Sequence, residues 1–263
     1  MKEEKAGAGI EFDGINYVNI HGMSYEIPMY SRGRVDKAGR VLLDKKAAPE
    51  EIALANTILA NWRVAHMYPL NTFRATLGKR ISKLGEEINI SQRLKRRESV
   101  INKLGIDSSM RLSQMQDIGG LRAVLSGVVP LRGLAATYNN EPTKQFPHQQ
   151  RRGKDYIAYP RDADGYRSLH LIYKYQKNIK PTEYNGLLLE LQLRTKLQHY
   201  WATAVETMET FLKQPIKSRK RDPESEWVDF FRTVSSAFAH IEGLPLIPRY
   251  AKLSKEETFK RVA

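Results

Sequence analysis

The strand-to-helix pattern in residues 187–212 restricts the fold more than any other feature of the sequence. LLLELQLR (187–194) alternates leucine with polar residues, which is typical of a strand with one buried face. TKLQHYWATAVETMETFL (195–212) follows at once with a strong helical pattern, and Thr195 is placed to cap this helix. A half-buried strand needs both neighbouring strands and a covering layer, so the segment predicts a sheet that packs against helices.

Hydrophobic periodicity predicts the other elements of the chain. Residues 1–45 look extended, with a DKAG turn signal at 36–39. The elements expected after them are two helices joined at Pro69 over 49–85, a helix over about 97–104, a strand over 118–125, a short helix over 130–138, a polar loop over 139–154, strands over 155–159 and 166–176, and a helix over about 224–241. This order indicates an α+β fold.

The expected organisation is a mixed sheet of four or five strands between helix-rich ends. We expect an extended segment plus a helical hairpin over 1–85, a core domain over 86–212 and a helical extension over 213–263. These boundaries follow the changes of periodicity along the chain.

Composition restricts the kinds of partner. The formal net charge of +14, from 43 Lys and Arg against 29 Asp and Glu, favours binding to polyanions such as nucleotides or RNA. The chain has no cysteine, which excludes disulfides and thiolate chemistry and suits the cytoplasm. The first residues lack a secretory pattern, and no apolar run approaches the roughly 18 residues of a membrane span. We therefore expect a cytoplasmic protein with no membrane contact.

Two acidic residues occupy strand or strand-edge positions. Asp117 directly precedes the predicted strand IGGLRAVL, and Glu190 shares one face of its strand with Gln192. If adjacent strands bring Asp117 and Glu190 together, the two carboxylates could hold Mg²⁺. The alternative is that Glu190 is an ordinary outward residue paired with a lysine.

A cationic run, RLKRRESVINKL (93–104), precedes these carboxylates. Several cations that converge on one chain of phosphates would bind a triphosphate. The alternative is a solvated helix face. Neither a Walker A loop nor GxGxxG is present, so neither common glycine-rich phosphate loop applies.

Four stretches in order resemble the synthetase domain of the RelA/SpoT alarmone enzymes. They are RLKRRESVINKL, QDIGGLRAVL, KDYIAYPRDADGYRSLHLIY and LELQLRTKLQHYWATAVE, within roughly residues 90–210. The resemblance implies a nucleotidyltransferase-like mixed sheet flanked by helices. It also implies a Mg²⁺-dependent enzyme that moves the β,γ-pyrophosphate of ATP to the 3′-hydroxyl of a guanine nucleotide and releases AMP.

The resemblance assigns roles where the motifs align. Asp117 matches a metal-binding aspartate, and Glu190 matches a glutamate that binds metal or activates the attacking hydroxyl; both are the catalytic candidates. The residues matched to ATP binding are Arg93, Lys95, Lys103 and Arg122. The residues matched to the acceptor pocket are Lys154, Tyr166, His170, Gln192 and His199.

Within the acceptor pocket, the resemblance implies that Tyr166 stacks on the acceptor base at the mouth of the pocket and that His170 lies near the acceptor phosphates. Stacking of a base on an aromatic side chain is reckoned at about 1–3 kcal/mol. Gly165 would allow the tight turn before Tyr166.

The chain departs from the family pattern at the acceptor side. The turn PRDADGY is one residue longer than usual, and Asp162 and Asp164 add negative charge beside a site for anions. His199 stands where small alarmone synthetases often have asparagine. No His-Asp hydrolase motif is present. The segments YSRGRVDKAGRVL and NWRVAHMYPLNTF resemble the leading segment of certain standalone RelA/SpoT-domain proteins, some of which are toxins that pyrophosphorylate the 3′ CCA end of tRNA.

Three hypotheses follow from these patterns. The favoured one is an alarmone synthetase that uses ATP with GTP or GDP; the second is a toxin that modifies the tRNA 3′ end. The third is a catalytically inactive RNA-binding module, which the retained carboxylates and cations disfavour. An antitoxin, a fused sensor domain and a homo-oligomer are further possible partners that the sequence leaves open.

Overall fold

The structure is a computed structural model. It describes residues 10–12, 15–20, 23–138, 142–143, 146–213, 216 and 225–263. The elements before the central sheet are β1 (Ile10–Phe12), β2 (Ile15–Ile20), β3 (Met23–Glu26), α1 (Arg32–Val41), α2 (Pro49–Val64) and α3 (Met67–Lys83). Those that follow are β4 (Ile90–Leu94), α4 (Arg97–Ile106), β5 (Gly119–Leu125), α5 (Val128–Ala136), β6 (Gln149–Asp155), β7 (Leu169–Lys174), β8 (Leu188–Thr195), α6 (Lys196–Leu212), α7 (Glu226–Glu242) and α8 (Lys255–Val262).

The central sheet has five strands in the order β4-β5-β8-β7-β6. The β5–β8 pair is parallel, and the other neighbours are antiparallel. The first three strands form a separate antiparallel sheet. A mixed five-stranded sheet with helical additions on both sides in sequence confirms the predicted α+β, nucleotidyltransferase-like fold. The division at residues 85/86 and 212/213 stays a prediction.

The alternation predicted for β8 is confirmed. Leu189, Leu191 and Leu193 are buried, whereas Glu190 and Gln192 are only partly buried on the opposite face. Each buried leucine stabilises the fold by roughly 1.5–3 kcal/mol relative to an exposed one. Thr195 caps α6 as expected, since its side chain accepts a hydrogen bond from the backbone amide of Gln198. The leucine face therefore anchors the sheet and leaves the polar face of β8 available.

The glycine pair at the start of β5 has a packing reason. A Cβ added at Gly119 would lie 3.0 Å from Cβ of His66 and 3.1 Å from Leu189. Burial of His66 between α2 and α3 lowers its pKa to about 4. The glycine thus lets β5 approach the helical layer closely, as the sequence predicted.

The expectation of an extended chain to residue 45 is wrong for residues 32–41, which form α1. The DKAG stretch lies inside this helix rather than in a turn. Asp36 accepts a hydrogen bond from the backbone amide of Ser113 at 2.8 Å, and a Cβ on Gly39 would lie 3.0 Å from Leu112 Cβ. Tertiary contacts with a distant loop therefore override the local turn signal.

Both edge strands of the central sheet were missed. β6 begins inside the predicted polar loop 139–154 and includes its last six residues, and no strand was predicted where β4 lies. Edge strands expose polar and charged side chains, so they lack the apolar alternation that identifies inner strands. The predicted strand 155–159 is instead a turn after β6, in which Asp155 Oδ1 accepts the amides of Ile157 and Ala158 at 3.0 Å.

The remaining helices agree with the predictions except at the ends. α4 continues through Gly105 to Ile106, and α2 ends before Pro69, which lies in the first turn of α3. The last helix, α8, was not predicted; Ser254 caps it. Within the described ranges, no helix combines the length and the apolar character that crossing a membrane requires.

Candidate active site

The strand register brings the predicted site residues to one face of the sheet. One row across β4, β5, β8 and β7 pairs Arg93 with Gly120, Gly120 with Glu190, and Glu190 with Ile172. Paired residues on neighbouring strands point to the same face. Because Glu190 shares this row with Arg93, a carboxylate and a phosphate-binding candidate lie on the same side, opposite the leucine face.

The next row of the sheet adds the acceptor candidates. Arg122 of β5 pairs with Gln192 of β8, which pairs with His170 of β7, which pairs with Lys154 of β6. The order across the sheet therefore runs from ATP candidates on β4 and β5 to acceptor candidates on β7 and β6. Glu190 and Gln192 lie between the two groups.

A cavity of about 550 Å³ opens on this face. Its charged lining residues are Arg93, Lys95, Lys103, Asp107, Asp117, Arg122, Arg161, Arg194 and Glu206. Its polar and aromatic lining also includes Tyr156, Tyr166, His170 and Gln192. All four cations matched to ATP and three of the five acceptor residues thus share one cavity.

One side of the cavity carries Arg93, Lys95, Lys103 and Arg122, which we call the cationic wall. Asp117 lies at its centre. Its two carboxylate oxygens accept hydrogen bonds from Lys95 Nζ at 3.0 Å and from Lys103 Nζ at 2.8 Å. Burial raises the pKa of Asp117, but the charges and hydrogen bonds of Lys103 and Lys95 outweigh it, so the net pKa is lowered. The group is therefore a carboxylate at neutral pH that holds two ammonium groups side by side.

Arg93 and Arg97 of the cationic run, together with Arg122 of β5, either line the cavity or connect helices of the scaffold. Arg93 and Arg122 line the cavity, and burial together with the charge of Arg194 lowers the pKa of Arg122. Arg97 instead donates to Asn56 Oδ1 at 2.6 Å, a contact between α4 and α2. The alternative of a solvated helix face is therefore wrong for Arg93, Lys95 and Lys103, because these three cations line the cavity.

The other side of the cavity, which we call the acceptor wall, contains a closed ring of hydrogen bonds between five side chains: Arg194, Tyr166, Gln192, Glu190 and His170. Arg194 donates to Tyr166 Oη at 2.9 Å and to Gln192 Oε1 at 3.1 Å. Gln192 Nε2 donates to Glu190 Oε2 at 2.8 Å. Glu190 Oε1 lies 2.8 Å from His170 Nδ1, and His170 Nε2 lies 2.8 Å from Tyr166 Oη. Each member fixes the next, so the ring holds Glu190 in a defined orientation.

The ring also determines the protonation of Glu190. Burial raises the pKa of this carboxyl, and the nearby charge of Asp117 also raises it. The hydrogen bond and charge of His170, with the hydrogen bond of Gln192, outweigh both and lower the pKa below its ordinary value. Glu190 is consequently ionised at neutral pH. The alternative pairing with a lysine is not seen, since His170 and Gln192 occupy both of its oxygens.

The expected exposure of Tyr166 at the mouth of the cavity is wrong. The side chain is only 4% exposed, and its ring packs edge-on against Tyr156, His170 and Trp201. The guanidinium groups of Arg161 and Arg194 lie 4.8 and 5.2 Å from its centroid. Its role in acceptor binding stays a prediction.

The extra negative charge of the PRDADGY turn does not face the cavity as a free charge. Asp164 is fully buried and accepts hydrogen bonds from Arg161 Nε at 2.7 Å and from the Tyr166 amide at 3.1 Å. Asp162 lies near the guanidinium of Arg249 at 3.7 Å. Each aspartate is thus paired with an arginine, which removes the conflict with an anionic ligand that the sequence indicated.

Two acceptor candidates lie at the edge of the site. Lys154 is exposed on β6, with its Nζ 5.9 Å from the centroid of Tyr156. His199, in the first turn of α6, has a pKa lowered by burial and by the charges of Arg122 and Arg194. His199 is therefore near the cavity and neutral at neutral pH.

Sequence reasoning missed several residues of the cavity, among them Arg194, Arg161 and Tyr156. Arg194 lies on the polar face of β8, four residues after Glu190, so the alternation that selected Glu190 and Gln192 could also have found it. Arg161 and Tyr156 gave no comparable signal. They lie in the turn after β6, and only the folding of this turn against β7 brings them to the cavity.

The carboxylates fit a magnesium ion. Asp117 and Glu190 both line a smaller cavity of about 90 Å³ beside Gly120, whose missing side chain leaves room between them. Mg²⁺ is usually held by one or two protein carboxylates, with water and substrate phosphates as its other ligands. Across the part of the chain that the structure describes, no cluster of three or more His, Asp or Glu could form an all-protein metal site.

Among the described residues, the basic side chains of the first two predicted helices do not converge on the cavity. Arg63 donates to the backbone oxygen of Lys95 at 2.7 Å, and Arg80 donates to that of Thr137 at 2.8 Å. The other cations of the first two predicted helices line a separate groove between α3 and β4: Arg74, Lys79 and Lys83. The KSRKR segment (217–221) lies outside the described residues. Arg151 and Arg152 are exposed on β6.

The fold and the site define the class of this protein. A mixed sheet flanked by helices, with a cationic wall opposite an ionised glutamate, is a nucleotidyltransferase-like domain. Residues 92–212 match the family model described as "Region found in RelA / SpoT proteins". The resemblance seen in the sequence is thus confirmed at the level of the family.

Solved structures support the same fold. Small alarmone synthetase 1 from Bacillus subtilis bound to its product pppGpp shares 20% identity, covers 70% of this chain and 92% of its own, and has a TM-score of 0.56. Small alarmone synthetase 2 from the same organism shares 21% identity, covers 72% and 94%, and has a TM-score of 0.55. A GTP pyrophosphokinase family protein from Streptococcus pneumoniae shares 19% identity, covers 68% and 86%, and has a TM-score of 0.52. No curated protein sequence matches the chain.

Proposed function

We propose that this protein is a pyrophosphokinase that transfers the β,γ-pyrophosphate of ATP to the 3′-hydroxyl of GTP or GDP. The observation that carries this proposal is the division of one cavity between a cationic wall around Asp117 and a wall of Tyr166, His170, Gln192 and Arg194, whose hydrogen bonds orient Glu190 behind it. The structural relative that holds pppGpp supports a guanine nucleotide as the acceptor.

The mechanism follows from the two walls. Lys95, Lys103, Arg93 and Arg122 bind the phosphates of ATP and stabilise the charge on them during transfer. The acceptor lies on the side of His170 and Gln192. Glu190 takes the proton of the 3′-hydroxyl, whose oxygen forms a bond to the β-phosphorus. The bond between that phosphorus and the oxygen bridging to the α-phosphorus breaks, and AMP leaves with this oxygen.

The residues of the cavity contribute to the reaction in different ways. His170, fixed between Glu190 and Tyr166, holds the carboxylate toward the acceptor. Asp117 holds the ammonium groups of Lys95 and Lys103 on its two carboxylate oxygens. Asp117 and Glu190 would hold Mg²⁺, which supplies charge neutralisation on the phosphate oxygens when bound.

Removal of either lysine of the cationic wall is expected to weaken ATP binding. Lys103→Ala and Lys95→Ala should each raise the dissociation constant for ATP about tenfold, because a charged contact to phosphate contributes about 1.5–3 kcal/mol. Each variant leaves Asp117 with its other lysine, so the melting temperature should change little. Lys79→Ala, in the separate groove, is the matched control. Unchanged ATP affinity in both variants contradicts the assignment of this wall.

The acceptor is identified by following the label of γ-labelled ATP. Incubation with GTP, GDP or bulk tRNA should place labelled pyrophosphate on GTP or GDP and produce AMP in equal amount. Label on tRNA alone rejects the guanine nucleotide as the acceptor. No label on any acceptor rejects the enzyme activity and favours the RNA-binding module.

One observation favours the tRNA 3′ end as a second candidate acceptor. The exposed edge strand β6 carries Arg151 and Arg152 beside Lys154, whose register partner is His170. A tRNA end needs such a basic approach, and its affinity should fall steeply with salt as phosphate contacts release counterions. Reversing Arg151 and Arg152 to glutamate then abolishes transfer to tRNA while ATP binding is kept.

A further inference from the structure

Helix α7 holds the turn that precedes Tyr166. Ser235 Oγ donates to the backbone oxygen of Gly165 at 2.6 Å and accepts from Arg167 Nε at 3.0 Å. Arg232 donates through its NH2 group to the backbone oxygen of Ala163 at 2.8 Å. Ser235 and Arg232 are each 2% exposed. These buried contacts hold the chain at Ala163, Gly165 and Arg167 against one face of α7.

The turn and the helix are in direct backbone contact at Gly165. This glycine has a φ of +83°, and a Cβ there would lie 2.9 Å from Ser235 Cβ and 3.2 Å from Arg232 Cα. No other residue type fits both the left-handed conformation and the available space. A displacement of α7 therefore displaces the turn.

The turn in turn positions the acceptor wall. Gly165 is adjacent to Tyr166, whose hydroxyl closes the hydrogen-bond ring with His170 and Arg194. A second link runs through Trp201, which packs edge-on against Tyr166 and donates from Nε1 to the backbone oxygen of Phe231 at 2.7 Å. The acceptor wall is thus connected to α7 at two points.

The cationic wall has no comparable connection. Its residues lie on β4, α4 and β5 or directly before β5, and Asp117 pairs only with Lys95 and Lys103 among the described ion pairs. α7 (Glu226–Glu242) lies beyond the region 92–212 that matches the RelA/SpoT family. An element outside the family region therefore contacts one side of the cavity only.

We propose that Ser235 is a positioning residue for the acceptor, and that α7 thereby belongs to the acceptor-binding machinery of this chain. This inference rests on the proposed function, because it assigns Tyr166, His170 and Glu190 to the acceptor. Ser235 acts through Gly165 and Arg167 and touches no substrate itself. From this proposal we expect substitutions in α7 to affect the affinity for the acceptor and the affinity for ATP differently.

The test compares Ser235→Ala with Ser236→Ala. Ser236 is a buried serine on the same helix, but its hydroxyl bonds only to the backbone oxygen of Arg232 within α7. Ser235→Ala should raise the KM for the acceptor about tenfold and leave the dissociation constant for ATP within twofold of wild type. Ser236→Ala should change neither. An equal effect of both variants on the acceptor KM, or an equal loss of ATP affinity, overturns the proposal.

Hydrogen exchange supplies a readout that does not require activity. The amides of residues 161–170 should exchange at least tenfold faster in Ser235→Ala and at the wild-type rate in Ser236→Ala. If wild-type protein transfers pyrophosphate to no acceptor, the proposed function fails, while unchanged exchange in Ser235→Ala shows separately that α7 does not hold the turn. Ser235→Cys, which keeps a side chain of similar size with a weak donor, decides the question if the alanine variant does not fold.

Discussion

Replacement of Glu190 by glutamine is expected to lower the rate of pyrophosphate transfer by roughly 10²–10⁴-fold, the usual contribution of a general base. Glutamine fills the same space, but it cannot accept the proton of the attacking hydroxyl. The lowered pKa of Glu190 means that the wild-type group is already ionised at neutral pH and ready to accept this proton. Transfer is measured as AMP release from ATP with GTP or GDP in excess.

Without Mg²⁺, the same variant should bind ATP as wild type does, because the contacts of Lys95 and Lys103 with Asp117 do not involve Glu190. Glu256→Gln is the matched control, since Glu256 is an exposed carboxylate on α8 far along the chain from the cavity. A Glu190→Gln enzyme that keeps at least one third of the wild-type rate contradicts the assignment of the base.

Substitution of Tyr166 is expected to produce the largest structural effect in the cavity. Tyr166→Ala removes a ring that is 4% exposed and should destabilise the protein by about 3–5 kcal/mol, as large-to-small changes in a core do. It also opens the hydrogen-bond ring at two points, because the hydroxyl contacts both His170 and Arg194. Acceptor-dependent transfer should be lost, and thermal unfolding should report the destabilisation.

Tyr166→Phe separates the hydroxyl from the ring. A ring that only stacks on a base would tolerate phenylalanine, but here the change leaves His170 Nε2 without its partner, which costs roughly 1–3 kcal/mol. We therefore expect reduced transfer in Tyr166→Phe as well, with stability between wild type and Tyr166→Ala. Tyr159→Ala, at a tyrosine that is 79% exposed on the neighbouring turn, is the control. Full activity of Tyr166→Phe contradicts a role for the hydroxyl.

Much of the fold and many of the site candidates followed from local pattern. Inner strands and capped helices carry their own signals, so β8 with its leucine face and α6 with its Thr195 cap were predictable. Motif order selected Asp117, Glu190 and the cations around them; the structure brings Asp117 and the cations into one cavity, and Glu190 lines a smaller cavity that Asp117 also borders. These features depend on residues close in sequence, which is why a single sequence reveals them.

The tertiary structure alone decided what depends on distant contacts. The edge strands β4 and β6 have no apolar alternation, and only pairing with β5 and β7 identifies them. Helix α1 overrides a turn signal because it packs against a loop more than 70 residues away.

The depth of Tyr166 was likewise decided by the tertiary structure. Its exposure depends on Trp201 and Arg194, which are remote in sequence, and on a turn that α7 holds from outside the family region. A motif indicates which residues contact a ligand. The packing of distant elements determines how far each of these residues is buried and which groups it donates hydrogen bonds to. For this protein the sequence by itself determined the inner strands, the carboxylates and the cations, and the tertiary structure decided the edge strands and the hydrogen-bond ring that orients Glu190.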